Sequence, residues 1–215
     1  MSITQYTLDH YVATASNRLA LLAVQKICQS PGAFNPLYLY GPPGVGKTHL
    51  LRAIGKEYRK QQKTAVCISA KRFCEEMVQA IISGSIAEFR AKYCQVDVLL
   101  VDRLLYVAGK EATQEELLNF LEERCLKGKQ TVIVGNVHPS QIPVLASELS
   151  AYLANGLCVE IPMPDFEEKA EIIYQKLSER EIHWPMEVCR YIAFGIPHGT
   201  IESEIDKIIA FRELL

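Results

Sequence analysis

Short apolar runs alternate along the chain with longer segments in which apolar residues recur every three or four positions. The longer segments have the periodicity of amphipathic helices, and they separate the short runs, which have the length of buried strands. Five strands are predicted, over residues 37–40, 64–69, 96–102, 130–134 and 157–161. Because strands that alternate with helices are typical of a parallel sheet covered by helices, the pattern predicts an α/β fold with a five-stranded parallel sheet.

Polar residues at the starts of the helical segments predict where several helices begin. Ser16 is expected to cap a first helix whose apolar side carries Leu19, Leu22 and Ile27. Ser69 is expected to cap a later helix. Three further segments match the capping box, in which a polar first residue and an acid three positions later bond each other's backbone. These boxes are expected at residues 85–88, 113–116 and 165–168.

Strand-like runs stop after the segment Pro162-Met-Pro164, and the rest of the chain has helical character. Helices are expected there over about 166–181, 186–194 and 200–214. We therefore predict two units, an α/β core over residues 1–163 and a small helical lid over residues 164–215.

One glycine-rich segment carries the clearest chemistry in the sequence. Residues 41–48, Gly-Pro-Pro-Gly-Val-Gly-Lys-Thr, fit the phosphate-binding loop G-x-x-x-x-G-K-[ST], with a predicted strand before them and a helix after them. Backbone N–H groups of such a loop hold phosphates, Lys47 would reach the β- and γ-phosphates, and Thr48 would bind Mg²⁺. The predicted cofactor is therefore ATP or ADP with Mg²⁺. The expected cofactor contacts are Gly41, Pro42, Gly44, Val45, Gly46, Lys47, Thr48 and His49.

The end of the third predicted strand supplies a second nucleotide element. Asp102 closes an apolar run, which places a carboxylate at the carboxyl end of a buried strand, where ligands bind in open α/β sheets. Together with Thr48 it is predicted to hold Mg²⁺. The next residue, where a general base for hydrolysis is expected, is Arg103. Because arginine cannot accept a proton from the attacking water, the most obvious base for hydrolysis is absent.

Other polar residues near these elements leave two interpretations open. Glu111, Glu115 and Glu116 are alternative general bases, but they also suit the solvated first turn of a helix, which is the interpretation we favour. Asn136 follows the fourth predicted strand and is a candidate sensor that contacts the γ-phosphate or its attacking water. The same asparagine, in Gly-Asn-Val-His-Pro, also suits a turn.

Composition limits the classes of partner. The chain has 215 residues and a net charge of −2, so contact with nucleic acid would require a local basic patch. No stretch approaches the roughly 18 apolar residues of a membrane span, and the N-terminus shows no secretory signal, so we expect no membrane partner. The seven cysteines form no C-x-x-C pair and no zinc-like cluster, which favours reduced thiols in a cytoplasmic protein.

These residues together resemble the AAA+ core of DnaA-type bacterial replication initiators. The resemblance extends from about Tyr6 to Ala210 and includes sequence outside the generic nucleotide motifs. It implies a P-loop AAA+ core with a helical lid. The segment from Ser69 to Tyr93 resembles the extra helical pair of initiators and helicase loaders. The matching stretches are 6–9, 16–18, 35–41, 46–51, 88–93, 96–102, 108–111 and 114–116.

Departures from the family bear on hydrolysis. Arg103 stands where the family has its second acid, and Gly199 matches the lid arginine that senses the γ-phosphate. The stretch 148–153, which includes Tyr152, matches the family's arginine-finger segment but contains no arginine. An arginine finger contributes about 10³–10⁵ in rate in related phosphoryl transfers, so its loss predicts weak turnover or none. The length also leaves no room for the family's N-terminal helicase-contacting domain or its C-terminal helix-turn-helix domain.

The resemblance implies an ATP- or ADP-binding protein that acts in DNA replication initiation or its regulation, with weak or no hydrolysis. Its expected partners are a full-length initiator, a helicase or the replication clamp, as for stand-alone DnaA-like regulators of the Hda type. An active AAA+ ATPase, serving as an initiator core or a replicative helicase loader, is the alternative. A small-molecule P-loop kinase ranks lower, because the predicted lid carries few arginines.

A weak contact with single-stranded DNA is also implied by the resemblance. Val78 and Lys110 correspond to positions on the DNA-facing side of the extra helices in the family. Nearby basic residues add local positive charge, but such charges equally suit solvated helix faces. These basic residues are Lys71, Arg72, Arg90 and Lys92.

Overall fold

The computed structural model describes residues 6–196 and 201–212, and a parallel β-sheet lies at the centre of this part of the chain. The sheet has the strand order β2-β3-β4-β1-β5, and all its paired strands run parallel. The five-stranded parallel sheet predicted from the sequence is therefore confirmed. The strands are β1 Leu37–Tyr40, β2 Ala65–Ser69, β3 Val98–Asp102, β4 Gln130–Val134 and β5 Leu157–Glu160.

Helices cover the sheet and continue beyond its last strand. Two short 3-10 helices, Leu104–Val107 and Pro139–Gln141, follow β3 and β4. The helices before β5 are α1 Arg18–Gln29, α2 Lys47–Lys60, α3 Ala70–Ile82, α4 Ile86–Cys94, α5 Glu111–Leu126 and α6 Ser147–Asn155. The helices after β5 are α7 Phe166–Ser178, α8 Met186–Gly195 and α9 Ile201–Arg212.

Strand residues are buried on both faces of the sheet, as is usual for parallel sheets. Leu37 and Leu39 pack with α1 and α2, whereas Tyr38 packs in a second cluster with α3, α5 and α6. Successive strand residues point to opposite faces, so each strand contributes to both clusters. The sheet is therefore fixed between two apolar layers, and the ends of its strands are held in register.

The buried Arg124 of α5 joins three segments at the amino-terminal ends of β3 and β4. Its guanidinium donates to the carbonyl groups of Tyr93, Val96 and Gln130 and to the hydroxyl of Thr131. Burial lowers the pKa of Arg124 to about 10. The side chain is fully buried, and these carbonyl contacts compensate for the water it has lost.

Three of the predicted strands are shorter than expected. Ile161 lies outside β5, which ends at Glu160. The shortening of β2 and β3 has one physical reason. Residue 64 lies outside β2, and residues 96 and 97 lie outside β3. The carboxylate of Asp97 accepts hydrogen bonds from the backbone N–H and the hydroxyl of Thr64, both at 2.8 Å. Because the backbone N–H of Thr64 bonds to this side chain, it is not part of the β-ladder, and the two strands begin after these residues.

Three of the predicted helix caps are wrong, although α4 does begin directly after Ser85. Helix α1 starts after Asn17 rather than Ser16, and Leu19 and Leu22 are exposed instead of buried. Ser85 makes no capping bond, and its hydroxyl instead pairs with that of Ser83 at 2.7 Å. The box predicted at 113–116 lies inside α5, which already begins at Glu111.

Two predicted caps are present in the structure. The Ser69 hydroxyl accepts a hydrogen bond from the backbone N–H of Arg72 at the start of α3. At α7, the Asp165 carboxylate accepts from the N–H of Glu168, and the Glu168 carboxylate accepts from the N–H of Asp165. Each cap satisfies backbone donors that the first turn of a helix leaves without partners.

The helices α7, α8 and α9 form a third apolar cluster of their own, centred on Ala170, Ile173, Leu177, Cys189 and Ile205. Two bonds connect α7 to the segment before α1. Glu168 Oε1 accepts from the backbone N–H of Ser16 at 2.7 Å, and the Lys176 ammonium donates to the carbonyl of His10. The C-terminal helices therefore lie against the N-terminal segment, across from the sheet edge that carries the glycine-rich loop.

Candidate nucleotide-binding site

The glycine-rich loop connects β1 to α2 through backbone positions that only glycine fits. A Cβ atom on Gly41 would lie 2.1 Å from the carbonyl oxygen of Ile161. Gly46 has a φ of 95°, and a Cβ there would lie 2.9 Å from the ring of Tyr11. Gly46 directly precedes α2, so this tight turn leads into the N-terminus of the helix, where backbone N–H groups are free to bind an anion.

Lys47 lies inside this loop and is buried. Its ammonium donates to the carbonyl groups of Gly41 and Pro42, both at 2.7 Å. Burial lowers the pKa of Lys47, and the charge of Asp102 partly opposes that change. The loop therefore curves around a single cation, which is the arrangement expected for a phosphate-binding lysine.

The two predicted Mg²⁺ ligands lie side by side in the structure. Thr48 Oγ1 donates to Asp102 Oδ2 at 3.2 Å, although the two residues are 54 positions apart in sequence. The contact forms because Thr48 starts α2 and Asp102 ends β3, both at the carboxyl edge of the sheet. Hydroxyl and carboxylate oxygens are the hard ligands that Mg²⁺ prefers, so this pair fits the ion.

A cavity of about 340 Å³ adjoins the loop and is the space available for a ligand. Its walls come from the loop, from the N-terminal segment between Tyr6 and Asn17, from the residues after β5 and from the C-terminal helices. Apolar groups form one part of the lining and cationic groups another, which suits a base joined to phosphates. The apolar part includes Tyr11, Val12, Ile161, Pro162, Pro164 and Ile172, and the cationic part includes Lys47, Arg52 and Lys176.

Sequence reasoning missed most of these cavity walls. The segment 6–9 resembles the family, but nothing in the sequence places Tyr6, or Tyr11 just after this segment, beside a ligand. Arg52 and Lys176 look like ordinary solvated charges in the sequence. Only the fold, which brings α2 and α7 to the same cavity, places Arg52 and Lys176 in its lining.

His49, which was predicted to contact the nucleotide, lines the cavity and also holds the N-terminal segment in place. Its Nε2 lies 2.8 Å from the carbonyl oxygen of Thr7. The edge-on rings of Tyr6 and Tyr11 pack against it, with centroids 5.2 and 5.3 Å away. The Arg52 guanidinium lies 4.6 Å from the Tyr6 ring centroid and completes the cluster.

Arg103, at the expected general-base position, has a left-handed backbone with φ 62° and ψ 58°. Its side chain is exposed and makes no hydrogen bond or ion pair with another residue in the described ranges. Among the alternative bases, Glu116 lies 3.8 Å from Arg90, and Glu111 and Glu115 are exposed on the first turns of α5. These positions agree with the interpretation of the glutamates as solvated helix residues.

The loop that carries Asn136 is tied to β1, the strand that leads into the glycine-rich loop. The Tyr38 hydroxyl donates to the carbonyl of Val137, and the N–H of Gly135 donates to the carbonyl of Leu39, both at 3.0 Å. Asn136 itself is exposed. Its sensor role stays a prediction, supported by this fixed position beside the strand that precedes Gly41.

The position expected for an arginine finger holds an inward tyrosine. Tyr152 of α6 is half-buried, and its hydroxyl donates to the carbonyl of Leu121 at 3.0 Å. Burial raises the pKa of this hydroxyl, so the side chain is neutral at physiological pH. The other expected departure, Gly199, lies outside the described residues.

The predicted DNA-facing residues lie on α3 and just before α5. Val78 is partly exposed, and the Lys110 ammonium lies 3.1 Å from the Tyr106 ring centroid. The four neighbouring basic residues all pair with carboxylates, which agrees with the interpretation of solvated helix faces. These pairs are Lys71–Glu75, Arg72–Glu76, Lys92–Glu76, Arg90–Glu116 and Arg90–Glu123.

All seven cysteines are free thiols. In the described ranges, no helix combines the length and the apolar character needed to cross a membrane. Over the same residues, no group of three or more His, Cys, Asp or Glu side chains is placed to hold a metal ion without other partners. A Mg²⁺ ion held by Thr48 and Asp102 would therefore need further oxygen ligands, which phosphates or water could supply.

Comparison with solved structures places the fold among bacterial replication initiators. AMPPCP-bound DnaA from Aquifex aeolicus is 33% identical, with a TM-score of 0.89, and the match covers 98% of this chain and 65% of that one. Domain III of the Thermotoga maritima initiator DnaA is 29% identical, with a TM-score of 0.90 over 98% of this chain and 90% of that one. The chain thus spans about two-thirds of the Aquifex protein.

A structure of DnaA bound to AMPPCP and single-stranded DNA is also similar, with 33% identity and a TM-score of 0.88 over 94% of this chain and 64% of that one. The helicase loader DnaC is more distant, at 21% identity and a TM-score of 0.62 over 75% of this chain and 98% of that one, and this likeness shows the fold alone.

The match to a family model agrees with these structural similarities. The model of the bacterial DnaA ATPase domain matches residues 3–160, which include the glycine-rich loop, Asp102 and all five strands. The resemblance inferred from the motifs and the AAA+ fold are both confirmed. The chain belongs to the family of bacterial DnaA ATPase domains.

Proposed function

We propose that this chain binds ATP or ADP together with Mg²⁺ and acts in DNA replication initiation or its regulation, with weak or no hydrolysis. The observation that carries the proposal is the contrast within one site. Lys47, Thr48 and Asp102 are assembled around the glycine-rich loop, whereas Arg103 and Tyr152 occupy the positions of the hydrolytic acid and the finger.

Support for nucleotide binding comes from the loop and the cavity beside it. The backbone of residues 41–46 and the start of α2 offer N–H donors for phosphates, with Lys47 at their centre. The apolar walls formed by Tyr11, Val12 and Ile161 would take the base. The similar DnaA structures that contain AMPPCP add to this support.

Thr48 and Asp102 would hold Mg²⁺, and the bound ion would neutralise charge on the β- and γ-phosphates. Asn136, tied to β1 through its loop, would contact the γ-phosphate as a sensor. Residues 41–49 would surround the phosphates.

Weak hydrolysis follows from the substituted groups. The Arg103 guanidinium cannot take a proton from water. The Tyr152 hydroxyl is neutral and bonded to the Leu121 carbonyl, so it offers no positive charge to a neighbouring subunit. An arginine finger contributes roughly 10³–10⁵ in rate, and nothing at position 152 replaces that contribution.

The helices after residue 164 would act as a lid on the core that ends at residue 163. Their separate apolar cluster and the bond from Lys176 to the His10 carbonyl support this division. We also keep the cytoplasmic location as part of the proposal, because seven free thiols suit a reducing compartment.

The proposed partners are a full-length initiator, a helicase or the replication clamp. A weak contact with single-stranded DNA through Val78 and Lys110 is a lesser part of the proposal. The DnaA structure with bound DNA supports it, whereas the paired charges on α3 and α4 argue against a strong contact.

The alternative is an active AAA+ ATPase, as an initiator core or a helicase loader. It is favoured by the intact Thr48–Asp102 pair and by the fixed loop that carries Asn136. Steady-state phosphate release separates the two functions. Turnover of ordinary speed that drops in the variant D102A would support the alternative.

A thermal-shift titration with ATP and Mg²⁺ tests the binding proposal. We expect the wild type to be stabilised as ligand is added, because a ligand that binds the folded state raises its stability. The variant K47A should lose this response. The matched control K60A, on the exposed end of the same helix, should keep it. An unchanged response in K47A would refute the assignment of the loop.

A further inference from the structure

Arg103 directly follows the carboxylate that would hold Mg²⁺. Asp102 Oδ2 lies 3.2 Å from Thr48 Oγ1, and these two oxygens would hold an ion that neutralises phosphate charge. Consecutive Cα atoms are about 3.8 Å apart, so the Cα atom of Arg103 lies at that distance from the Cα atom of the residue that would hold the ion. A phosphate bound to this ion would therefore lie at the same edge of the sheet as Arg103.

The backbone keeps Arg103 at the edge of the sheet. With φ 62° and ψ 58°, it has a left-handed conformation that residues with a Cβ rarely adopt. Its carbonyl accepts from the N–H of Tyr106 at 3.3 Å, which begins the 3-10 helix after β3. The chain therefore turns immediately after Asp102, and Arg103 stays at the carboxyl edge, where ligands bind in such sheets.

The charge of Arg103 is available to a ligand. Its side chain is exposed and has no carboxylate partner among the residues that the structure describes. By contrast, Arg72 bonds Glu76 at 2.9 Å, and Arg190 bonds Glu167 at 3.0 Å. A guanidinium presents paired N–H donors that match phosphate oxygens, so an unpaired one beside a phosphate site is suited to bind an anion.

A carboxylate at this position would repel the γ-phosphate and accept a proton from water, whereas a guanidinium attracts the phosphate and accepts nothing. We propose that Arg103 forms an ion pair with the γ-phosphate of bound ATP, and that it gives the site a preference for ATP over ADP. This inference rests on the proposed nucleotide site. The substitution would then turn a hydrolytic position into one that holds the intact triphosphate.

Calorimetric titration of the full chain with two ligands tests the inference. The ligands are ADP and AMPPCP, each with Mg²⁺, because AMPPCP keeps a γ-phosphate that is not hydrolysed. In R103Q we expect the affinity for AMPPCP to fall about tenfold or more, as for loss of a hydrogen bond to a charged group. The affinity for ADP should change less than about twofold, since ADP has no γ-phosphate.

Two further variants control this measurement. R103K keeps a positive charge without the paired donors and should retain part of the preference. R72A removes an exposed arginine that is already paired with Glu76, and it should bind both ligands as the wild type does. Unchanged melting temperatures without ligand will show that each variant is folded.

The outcomes distinguish this inference from the proposed function. If R103Q binds AMPPCP as tightly as the wild type, or loses the same affinity for both ligands, Arg103 does not recognise the γ-phosphate. In both cases the nucleotide site itself would stand. If the folded wild type binds neither ligand, the nucleotide site fails, and the inference fails with it.

Discussion

The phosphate loop and the α3–α4 pair both carry cationic side chains, but the cations have different partners. In the loop, the Lys47 ammonium is bonded to the carbonyl groups of Gly41 and Pro42. On the helical pair, Arg72 and Lys92 share one carboxylate, that of Glu76. A ligand anion can add to the first arrangement directly, but in the second it must first displace an internal acid.

The number of basic residues in a segment therefore does not identify an anion site. The segment 69–94 carries several lysines and arginines, yet its ion pairs leave little net positive charge. The loop offers only Lys47 and backbone N–H groups, but they converge on one space. Convergence and the absence of an acid partner decide where a phosphate binds.

The largest effect is expected on Mg²⁺-dependent nucleotide affinity, from a change at Asp102 beside the phosphate loop. Replacing Asp102 by asparagine removes the carboxylate charge from one of the two proposed Mg²⁺ ligands while keeping the side-chain shape. We expect Mg²⁺-dependent nucleotide affinity to fall at least about 10–100-fold, the usual cost of disturbing groups around a bound metal. Titrations with AMPPCP in Mg²⁺ and in EDTA measure the effect, because the variant should bind alike in both.

The control for that measurement is D97N. Asp97 lies just before β3, at the opposite end of the strand from Asp102, and its carboxylate accepts hydrogen bonds from Thr64 and Lys129. It should keep the Mg²⁺ dependence of the wild type. A D102N protein with undiminished Mg²⁺ dependence would show that the ion is held without the carboxylate at the end of β3.

A moderate effect is expected on the helical pair. Hydrogen bonds from Lys92 and Tyr93 lower the pKa of Glu76 to about 2, so this acid is charged at neutral pH. The variant E76Q would release Arg72 and Lys92 from an ion pair and expose two cations. We expect affinity for single-stranded DNA to rise roughly threefold to tenfold at low salt, measured by fluorescence anisotropy with a labelled oligonucleotide.

E75Q is the matched control, because among the described residues Glu75 forms an ion pair with Lys71 alone, at a longer distance of 3.8 Å. Its effect on DNA binding should be smaller than that of E76Q. Equal and strong DNA binding by the wild type and both variants would show that the ion pairs do not limit anion binding on the α3–α4 pair.

The smallest effect is expected on the rate of phosphate release, from a change at position 103. R103E restores an acid beside Asp102, but Tyr152 still offers no charge to a neighbouring subunit. Since a finger contributes about 10³–10⁵ in rate, we expect phosphate release by R103E to stay within about tenfold of the wild type. R103Q serves as the control for loss of the arginine alone. Rapid turnover in R103E would show that the finger argument is wrong.

Local patterns in the sequence were sufficient for the sheet and for the centre of the site. The strands 37–40 and 130–134 are predicted to the residue, because short apolar runs between polar segments leave little choice of conformation. The loop and Asp102 were found because each sits at a strand end with a recognisable chemical pattern. Their contact, Thr48 to Asp102, follows from the parallel topology.

The rest depends on contacts that the sequence does not encode locally. Lys176 meets the His10 carbonyl across 166 positions, and Glu168 meets the Ser16 N–H across 152 positions. No periodicity in either segment predicts these bonds. The capping errors have a different cause. A hydroxyl such as that of Ser85 can bond either to a backbone N–H of the helix or to the neighbouring Ser83 hydroxyl, and the sequence does not show which bond forms.

The two bonds between α7 and the N-terminal segment have a kinetic consequence. Residues of both segments line the cavity, so these bonds join two of its walls to each other. A nucleotide bound there, as we propose, would lie beside walls that are held together, and its residence time would depend on how often the Lys176–His10 and Glu168–Ser16 bonds open. A partner that breaks these bonds would then speed nucleotide exchange.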